Sequence, residues 1–306
     1  MKRNSSYEII VSIVYYMVLE EIRIHLTRLL KLPCSMMLLL VAIIAVMPTQ
    51  GHTASAAGAA DNIPILIYHS FSEVQAELTD NNVSPDKFRS DMQALIDNGY
   101  TPIFFKDYLN AQENKFEMPA KPIFITVDDG YYSFYKYAYP ILKELELKAT
   151  VSVIGWSVGR STNKDNRTPI FAHFSWKEAK EMYDSGYIDI QHHTWDLHNE
   201  SGKVKGLMKL PKESDASYVK RIKADYKKLK NKIESEIGNE VIVFTYPYGS
   251  TTPLADKALQ ELGVQFTLTT TKGISDLSKS PYMLKRINAA QSIKSEDLIR
   301  RIESYS

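Results

Sequence analysis

The chain has 306 residues, of which 44% are hydrophobic and 24% charged, a composition typical of a soluble globular protein. Its 37 basic and 36 acidic residues give a formal net charge of +1, so there is no electrostatic reason to expect a nucleic-acid partner. The single cysteine, Cys34, lies upstream of the region that we expect to fold. Disulfides, a cysteine nucleophile and a cysteine-ligated zinc site are therefore excluded from the folded part.

Residues 1–60 are predicted to be a secretory leader rather than a folded domain. Two basic residues precede an apolar run at residues 36–47, and a stretch of small residues follows it. This order is typical of a signal peptide, and the run is shorter than the ~20 residues that a spanning helix needs. We expect cleavage after Ala56 or Ala59 and a location outside the cell or on the outer face of its envelope. A second apolar patch at residues 9–19 leaves an internal translation start or an uncleaved anchor as alternatives.

Downstream of the leader, apolar runs with strand-like patterning alternate with amphipathic segments. We predict strands at residues 63–68, 101–105, 122–127, 149–154, 187–191, 241–245, 265–270 and 283–288. Helices are predicted after the N-cap Ser84, over residues 131–145 with a kink or restart at Pro140, after the Ser175–Glu178 capping box, over residues 217–237 and 254–262, and from Ser295. Residues 201–216 are expected to form a polar surface loop.

This alternation predicts a parallel sheet with helices outside it. Six to eight strands within one domain of roughly 245 residues favour a closed or nearly closed barrel over an open sheet. We therefore predict a single catalytic domain at residues 61–306, of the α/β class, folded as a distorted (β/α) barrel with about seven parallel strands.

The first motif with chemical content is Thr-Val-Asp-Asp-Gly at residues 126–130, where a predicted strand ends. Adjacent carboxylates repel each other, and a bound cation or a shared proton relieves the repulsion. Neighbouring side chains point in different directions, so one carboxylate can bind a cation while the other faces the substrate. A turn in which an aspartate caps a helix is the alternative interpretation.

The second motif is a cluster of histidines, since three of the seven in the chain lie within residues 192–198, directly after another predicted strand. Two imidazoles and one carboxylate suit Zn²⁺, Fe²⁺, Co²⁺ or Ni²⁺ and leave positions open for water and substrate. His193 and His198 are not spaced to share one helical face, so they would converge across a loop. A polar surface turn with incidental histidines is the alternative.

The third motif is Thr-Tyr-Pro-Tyr-Gly at residues 245–249, which follows a further apolar strand. A backbone N–H held rigidly between proline and glycine can donate a hydrogen bond to an oxyanion. Taken by itself, the motif indicates only a turn.

In this order, the three motifs resemble the polysaccharide deacetylase family (the NodB homology domain, carbohydrate esterase family 4). Leu-Ile-Tyr-His at residues 66–69 also looks like the first strand of that family, and the resemblance covers about residues 63–288. The form His-Thr-x-Asp-Leu-His is similar to the branch that includes poly-N-acetylglucosamine deacetylases. The resemblance implies a hydrolase that removes N-acetyl or O-acetyl groups from a cell-surface or extracellular polysaccharide.

The resemblance also implies roles for particular residues. Asp129, His193 and His198 would bind one divalent metal ion, with Zn²⁺ expected and Co²⁺, Ni²⁺ or Fe²⁺ as alternatives. Asp128 would be the general base that activates a water molecule, and the backbone N–H of Tyr248 would stabilise the oxyanion.

Four further residues are predicted to contact the substrate. His69 follows the first strand, Trp195 lies between the two histidine ligands, and Tyr246 and Pro247 belong to the third motif. Pyranose faces stack on aromatic rings, which favours Trp195 as a sugar contact.

The sequence departs from the family pattern in two places. Many members carry an arginine before the Pro-Tyr pair to orient the base, whereas this chain has Tyr246 there. Many also carry a C-terminal histidine as the general acid, but no histidine follows His198. The general acid is therefore unassigned by the motifs, with His69 and His192 as candidates.

Two other classes of function remain open. One is a glycan-binding relative with weak or no catalysis, which the missing C-terminal histidine favours. The other is a 2-His-1-carboxylate Fe(II) oxygenase, which the β/α alternation disfavours because such enzymes draw their ligands from a different fold. We expect a monomer that acts on an acetylated polysaccharide, has no nucleic-acid partner and associates with a membrane or cell wall. The identity of the glycan is left open.

Overall fold

The computed structural model describes residues 61–161, 172–201 and 204–305. The leader and cleavage sites predicted within residues 1–60 therefore lie outside the described residues. No helix within the described ranges has both the length and the apolar character that crossing a bilayer requires.

The secondary structure alternates as predicted. The strands of the described residues are β1 (Ile65–Tyr68), β2 (Ser70–Phe71), β3 (Asn82–Val83), β4 (Thr101–Pro102), β5 (Pro122–Val127), β6 (Ala149–Val153), β7 (Ile188–His192), β8 (Glu200–Ser201), β9 (Val204–Lys205), β10 (Val243–Thr245), β11 (Phe266–Lys272) and β12 (Leu284–Asn288). The α-helices are α1 (Pro85–Asp97), α2 (Phe105–Gln112), α3 (Tyr139–Glu144), α4 (Trp176–Asp184), α5 (Asp215–Ile237), α6 (Pro253–Gln260) and α7 (Ser295–Tyr305).

Seven parallel strands close into a barrel. Their order is β1-β12-β11-β10-β7-β6-β5, and the ring closes because β1 also pairs with β5, with Leu66 opposite Ile125. The short β4 pairs in parallel with the start of β5. This arrangement confirms the predicted (β/α) barrel of about seven parallel strands, and it brings the carboxyl ends of all seven strands to one face.

The predicted helix starts follow from local hydrogen bonds. Ser84 caps α1 by accepting a hydrogen bond from the backbone N–H of Lys87 at 3.1 Å. Ser175 and Glu178 form the predicted capping box of α4, in which the Glu178 carboxylate accepts from the Ser175 N–H at 2.6 Å. Pro140 lies in the first turn of α3, directly after a turn of π-helix, so the predicted restart is confirmed.

One predicted strand is wrong over most of its length. Residues 101–105 were expected to be extended, but β4 ends at Pro102 and α2 begins at Phe105. The ring of Phe105 stacks on Phe124 with centroids 4.0 Å apart and packs on Phe266 at 5.1 Å. Because Phe124 and Phe266 lie early in their strands, the apolar run covers the amino-terminal opening of the barrel instead of extending a strand.

The barrel interior carries polar groups as well as apolar ones. On β5, Ile123 and Ile125 pack beneath the helices, whereas Thr126 faces inward. The hydroxyls of Ser152 on β6 and Thr245 on β10 form a hydrogen bond of 2.8 Å. Arg286 of β12 is only 1% exposed and lies among these groups. A buried charge needs a partner of opposite charge, and the partner of Arg286 is the carboxylate of Asp128.

A side-chain network joins β7 to β10, which pair at Phe244 and His192 only. The side-chain oxygen of Gln191 accepts hydrogen bonds from the N–H groups of Ile242 and Val243 at 2.9 and 2.8 Å. Its amide nitrogen donates to Asp189 at 2.9 Å. Side-chain bonds thus take the place of ladder bonds near the amino-terminal end of the barrel.

Candidate active site

A cavity of about 540 Å³ opens where the carboxyl ends of the barrel strands meet. Enclosed volumes of this size are typical of ligand sites. Its polar lining combines predicted and unpredicted residues: His69, Asn81, Asp128, Asp129, Tyr131, His193, His198, Tyr248, Thr270, Lys272, Arg286 and Asn288.

Asp129, His193 and His198 converge at this cavity. One carboxylate oxygen of Asp129, Oδ1, lies 3.3 Å from His193 Nε2 and 3.3 Å from His198 Nε2. The ligand atoms of the three residues all lie within 4.8 Å of one another. The loop after β7 therefore brings the two histidines together across five residues, as the sequence predicted.

The hydrogen bonds around these residues suit a cation. His193 Nδ1 lies 2.8 Å from the carbonyl oxygen of Thr245, which can only accept, so Nδ1 carries the proton and Nε2 presents its lone pair to Asp129. Asp129 Oδ1 is buried and has no hydrogen-bond partner among the described residues. A buried carboxylate oxygen facing two imidazole nitrogens is the arrangement that a divalent cation stabilises, so these residues fit a metal ion.

Electrostatics at Asp129 point the same way. Burial acts to raise the pKa of this carboxyl, but the adjacent imidazoles of His193 and His198 outweigh burial and hold the pKa well below its usual range. Conversely, burial acts to lower the pKa of His193, and the Asp129 carboxylate outweighs it and raises the pKa. The carboxylate is therefore ionised at neutral pH, as a metal ligand must be.

The backbone is strained where the site is built. Asp129, Thr194 and Tyr248 adopt positive φ angles of 73°, 71° and 58°, a region that non-glycine residues rarely occupy. Each costs on the order of 1 kcal/mol or more and persists only where the surrounding structure enforces it. All three follow barrel strands, so the strain is concentrated at the turns that aim the site's groups into the cavity.

A helix holds the loop between His193 and His198. The carboxylate of Asp225, on α5, accepts hydrogen bonds from the N–H groups of Trp195 and Asp196, both at 2.8 Å. Burial raises the pKa of Asp225 to about 6. This carboxylate fixes the chain that runs from His193 to His198.

Asp128 is paired with an arginine of β12, a strand that only β1 separates from β5 in the barrel. The guanidinium of Arg286 donates to both carboxylate oxygens of Asp128, each at 2.8 Å, and its Nε donates to the carbonyl of Thr269 at 2.7 Å. Burial acts to raise the pKa of Asp128, but the Arg286 cation outweighs burial and lowers it. Asp128 is thus held ionised in a fixed orientation beside Asp129.

His69 lies near the same carboxylate of Asp128. Its Nε2 is 4.0 Å from a carboxylate oxygen of Asp128, and its side chain is 22% exposed. Its Nδ1 is buried and has no hydrogen-bond partner in the described part of the chain. His69 therefore lines the cavity wall but does not belong to the cluster of Asp129, His193 and His198.

Comparison with known proteins decides the family. The polysaccharide deacetylase family model matches residues 115–267, half of the chain. A Bacillus subtilis protein, YxkH, whose name assigns it to the polysaccharide deacetylases, is 30% identical over 242 residues, covering 79% of this chain and 76% of that protein. The chain belongs to the polysaccharide deacetylase family. The family and the enzyme class predicted from the sequence are confirmed.

Other deacetylases share this similarity. The poly-β-1,6-N-acetyl-D-glucosamine N-deacetylase of Staphylococcus aureus (strain MSSA476) is 28% identical over 235 residues, covering 77% of each chain. The Escherichia coli (strain K12) enzyme of the same name is 24% identical, and the match spans 34% of its length. The solved structure of Streptococcus pyogenes deacetylase PplD in complex with acetate has a TM-score of 0.63 at 25% identity, covering 79% of this chain and 98% of that one.

Three residues expected to contact substrate do not line the cavity of this deacetylase. The backbone N–H of Trp195 is bonded to Asp225, and its ring lies against α5, where Lys228 Nζ is 4.1 Å from the ring centre. Tyr246 is fully buried and donates its hydroxyl hydrogen to Asp256. Pro247 is buried at the start of the turn that carries Tyr248. Tyr246 and Pro247 are too buried to contact substrate, so these two predictions are wrong, whereas substrate contact by the half-buried Trp195 stays a prediction.

His192 is also removed from the chemistry. It is fully buried, its Nε2 lies 3.1 Å from the carbonyl of Tyr226, and its Nδ1 accepts from the Thr194 N–H at 3.0 Å. Burial lowers its pKa to about 3. The ring is a neutral structural group between β7 and α5, and it cannot supply a proton to the cavity.

Arg286 is the principal residue that the sequence analysis missed. It occupies an inward position of β12, two residues after the buried Leu284, where an apolar side chain is expected. A charged residue at an inward strand position requires a buried partner of opposite charge, and this requirement could have indicated the role of Arg286 from the sequence. The arginine that the family pattern places before the Pro-Tyr pair is absent here, and Arg286 pairs with Asp128 from a different strand.

Proposed function

We propose that the chain is a metal-dependent deacetylase that removes N-acetyl groups from an extracellular polysaccharide. The observation that carries this proposal is the buried Asp129 oxygen that faces two imidazole nitrogens, next to the ion-paired carboxylate of Asp128. The names of the Staphylococcus and Escherichia relatives support N-acetylated glycans as the substrate class. The signal-peptide pattern of residues 1–60 supports export.

When bound by Asp129, His193 and His198, a divalent cation supplies Lewis acidity toward the acetyl carbonyl and toward a water molecule. Zn²⁺ is the expected ion, because two imidazoles and a carboxylate are its common catalytic ligands, and Co²⁺, Ni²⁺ and Fe²⁺ also suit this set.

Asp128 acts as the general base that takes a proton from the attacking water. Its lowered pKa keeps the carboxylate free of a proton at neutral pH, and the two hydrogen bonds from Arg286 fix the direction of its lone pairs. The backbone N–H of Tyr248, on the strained turn after β10, donates to the developing oxyanion.

His69 supplies the proton to the departing amine. Apart from the two ligand histidines, it is the histidine among the described residues that lines the cavity, and its Nε2 lies 4.0 Å from Asp128 Oδ2, the oxygen that also accepts from Arg286. A His69→Ala variant should therefore lose activity on acetamido sugars, while keeping more of its activity on an activated acetyl ester whose leaving group needs no proton.

The direct test is acetate release by the mature protein from chitin oligomers, peptidoglycan, poly-N-acetylglucosamine and acetylxylan. We expect release from an N-acetylated polymer, its loss with a chelator and its return with added Zn²⁺. His193→Ala should lose bound metal, and His192→Ala should keep it. Full activity in the chelator would rule out the metal-dependent mechanism, whereas bound metal without acetate release from any polymer would indicate a glycan-binding relative.

A further inference from the structure

A second cavity of about 230 Å³ lies next to the catalytic cavity. The two share Lys272, at the end of β11, and Asn288, at the end of β12. Arg301 of α7 and Asp80 also line the second cavity. A polymer bound with one acetylated unit at the metal ligands must leave the catalytic cavity somewhere, and these shared residues mark a direct route.

The second cavity offers two cations without acidic partners. Neither Lys272 nor Arg301 forms an ion pair in the part of the chain that the structure describes, whereas Arg300, the residue before Arg301, pairs with Asp297. The Asp80 carboxylate is engaged by Ser292, whose hydroxyl donates to it at 2.7 Å. Two unpaired cations and one hydrogen-bonded carboxylate leave an excess of positive charge where the neighbouring sugar unit would lie.

We propose that this second cavity is a subsite for the sugar unit next to the one deacetylated, and that Lys272 and Arg301 bind a carboxylate carried by that unit. The inference rests on the proposed function, and it narrows the substrate to an N-acetylated glycan with acidic neighbouring units. A neutral N-acetylglucosamine polymer fits less well, because each acetyl group removed leaves an ammonium group that these cations repel. The planar guanidinium of Arg301 suits two-point binding of a carboxylate.

The test compares two soluble oligosaccharides of equal length. One contains only N-acetylglucosamine, and in the other alternate units carry a carboxylate. We expect a higher kcat/KM for acetate release from the acidic oligomer, with an advantage that shrinks as salt concentration rises. Arg301→Gln should lower kcat/KM for the acidic oligomer by about tenfold, mainly through KM, as expected for the loss of a hydrogen bond to a charged group. Arg300→Gln is the matched control on the same helix and should leave the preference intact.

The outcomes separate this inference from the proposed function. Equal use of both oligomers by the unmodified protein, or equal losses on both in Arg301→Gln, would overturn the acidic subsite while leaving the deacetylase activity in place. If neither oligomer releases acetate, the proposed function fails, and direct binding still decides the subsite. In that measurement Arg301→Gln should weaken the Kd of the acidic oligomer about tenfold relative to the neutral one, and an unchanged ratio would contradict the inference.

Discussion

Buried carboxylates lie at both ends of the barrel, and their partners differ in kind. At the carboxyl end, Asp128 is held by the guanidinium of Arg286, and its pKa is lowered although burial acts to raise it. At the amino end, Asp189 accepts hydrogen bonds from the neutral amides of Gln191 and Asn239, and burial raises its pKa to about 6. Hydrogen bonds from amides thus do not offset the cost of burying the charge, whereas a cation does.

This difference explains why the proposed base needs a buried arginine. Burial in a partly closed cavity raises the pKa of a carboxyl group. A protonated carboxyl could not take a proton from water at neutral pH. Arg286 offsets this rise in the pKa of Asp128. Because Arg286 is itself almost fully buried, its charge also needs Asp128 as a partner. The pair therefore fits the role proposed for Asp128, while the Asp189 network joins two strands.

The largest effect should separate the two adjacent aspartates at the carboxyl end. Asp128→Asn keeps the shape of the side chain and removes only its capacity to accept a proton, so acetate release should fall by ~10²–10⁴-fold while bound metal is retained. Asp129→Asn should lose both metal and activity. Metal content and acetate release, measured on both variants side by side, check this. Loss of metal in Asp128→Asn with retention in Asp129→Asn would mean that the roles are exchanged.

The second prediction removes the cation from the pair. In Arg286→Met, burial is no longer offset, so the pKa of Asp128 should rise and the acidic limb of the kcat/KM profile should move to higher pH. Leaving one charge of a buried pair alone typically costs about 3–5 kcal/mol of stability. Lys285→Met, at the exposed neighbouring position, is the control.

A double variant keeps this test decisive if Arg286→Met unfolds. Arg286→Met combined with Asp128→Asn removes both charges, so it should recover stability without recovering activity. An Arg286→Met protein that is folded and has an unshifted acidic limb would show that Arg286 does not set the ionisation of the base.

The third prediction concerns the loop that carries His198. Asp225→Ala removes the acceptor for the N–H groups of Trp195 and Asp196, so His198 should be held less firmly. Residues that orient metal ligands typically contribute 10–100-fold to metal affinity, and we expect a loss in that range. Asp215→Ala, an exposed carboxylate on the same helix, should leave metal affinity unchanged. A metal titration of both variants checks this, and equal affinities would show that the loop holds its shape without Asp225.

Features that depend on local patterns could be predicted from the sequence, whereas features that depend on contacts between residues far apart in the chain could not. Asp128, Asp129 and His193 could be brought together in advance, because parallel strands place their carboxyl ends on one face. The contact of Arg286 with Asp128 joins residues 158 positions apart, and no local pattern specifies it. The loop that carries Trp195 is likewise held by Asp225, which belongs to a helix packed on the outside of the barrel.

The same argument applies to the missed helix α2. Residues 101–105 include the β-branched and aromatic side chains that are common in strands, so their local preference is for extended structure. The burial of Phe105 against Phe124 and Phe266 determined the outcome instead, since the barrel opening needs an apolar cover. Tertiary packing overrode local preference at that position.

The smallest expected effect lies at the amino end of the barrel, at Asp189. Its folded-state pKa of about 6 lies above the ordinary aspartate value of 3.8, so the folded protein holds the proton more tightly than the unfolded chain. The resulting stabilisation is fully present below about pH 4 and is lost as pH rises through about 6, by on the order of 1–3 kcal/mol. Asp189→Asn cannot ionise, so its unfolding free energy should lack this dependence. Any penalty from facing the amide donors of Gln191 and Asn239 is the same at every pH.

Denaturant unfolding of the unmodified protein and of Asp189→Asn at pH 4.5 and 7.5 measures the difference, and Asp184→Asn is the exposed control at the same end. The unmodified protein should lose stability relative to Asp189→Asn between the two pH values. A difference that stays constant would mean that Asp189 is ionised throughout this range. The amides of Gln191 and Asn239 would then hold a buried charge without a cation, and the contrast between the two ends of the barrel would not hold.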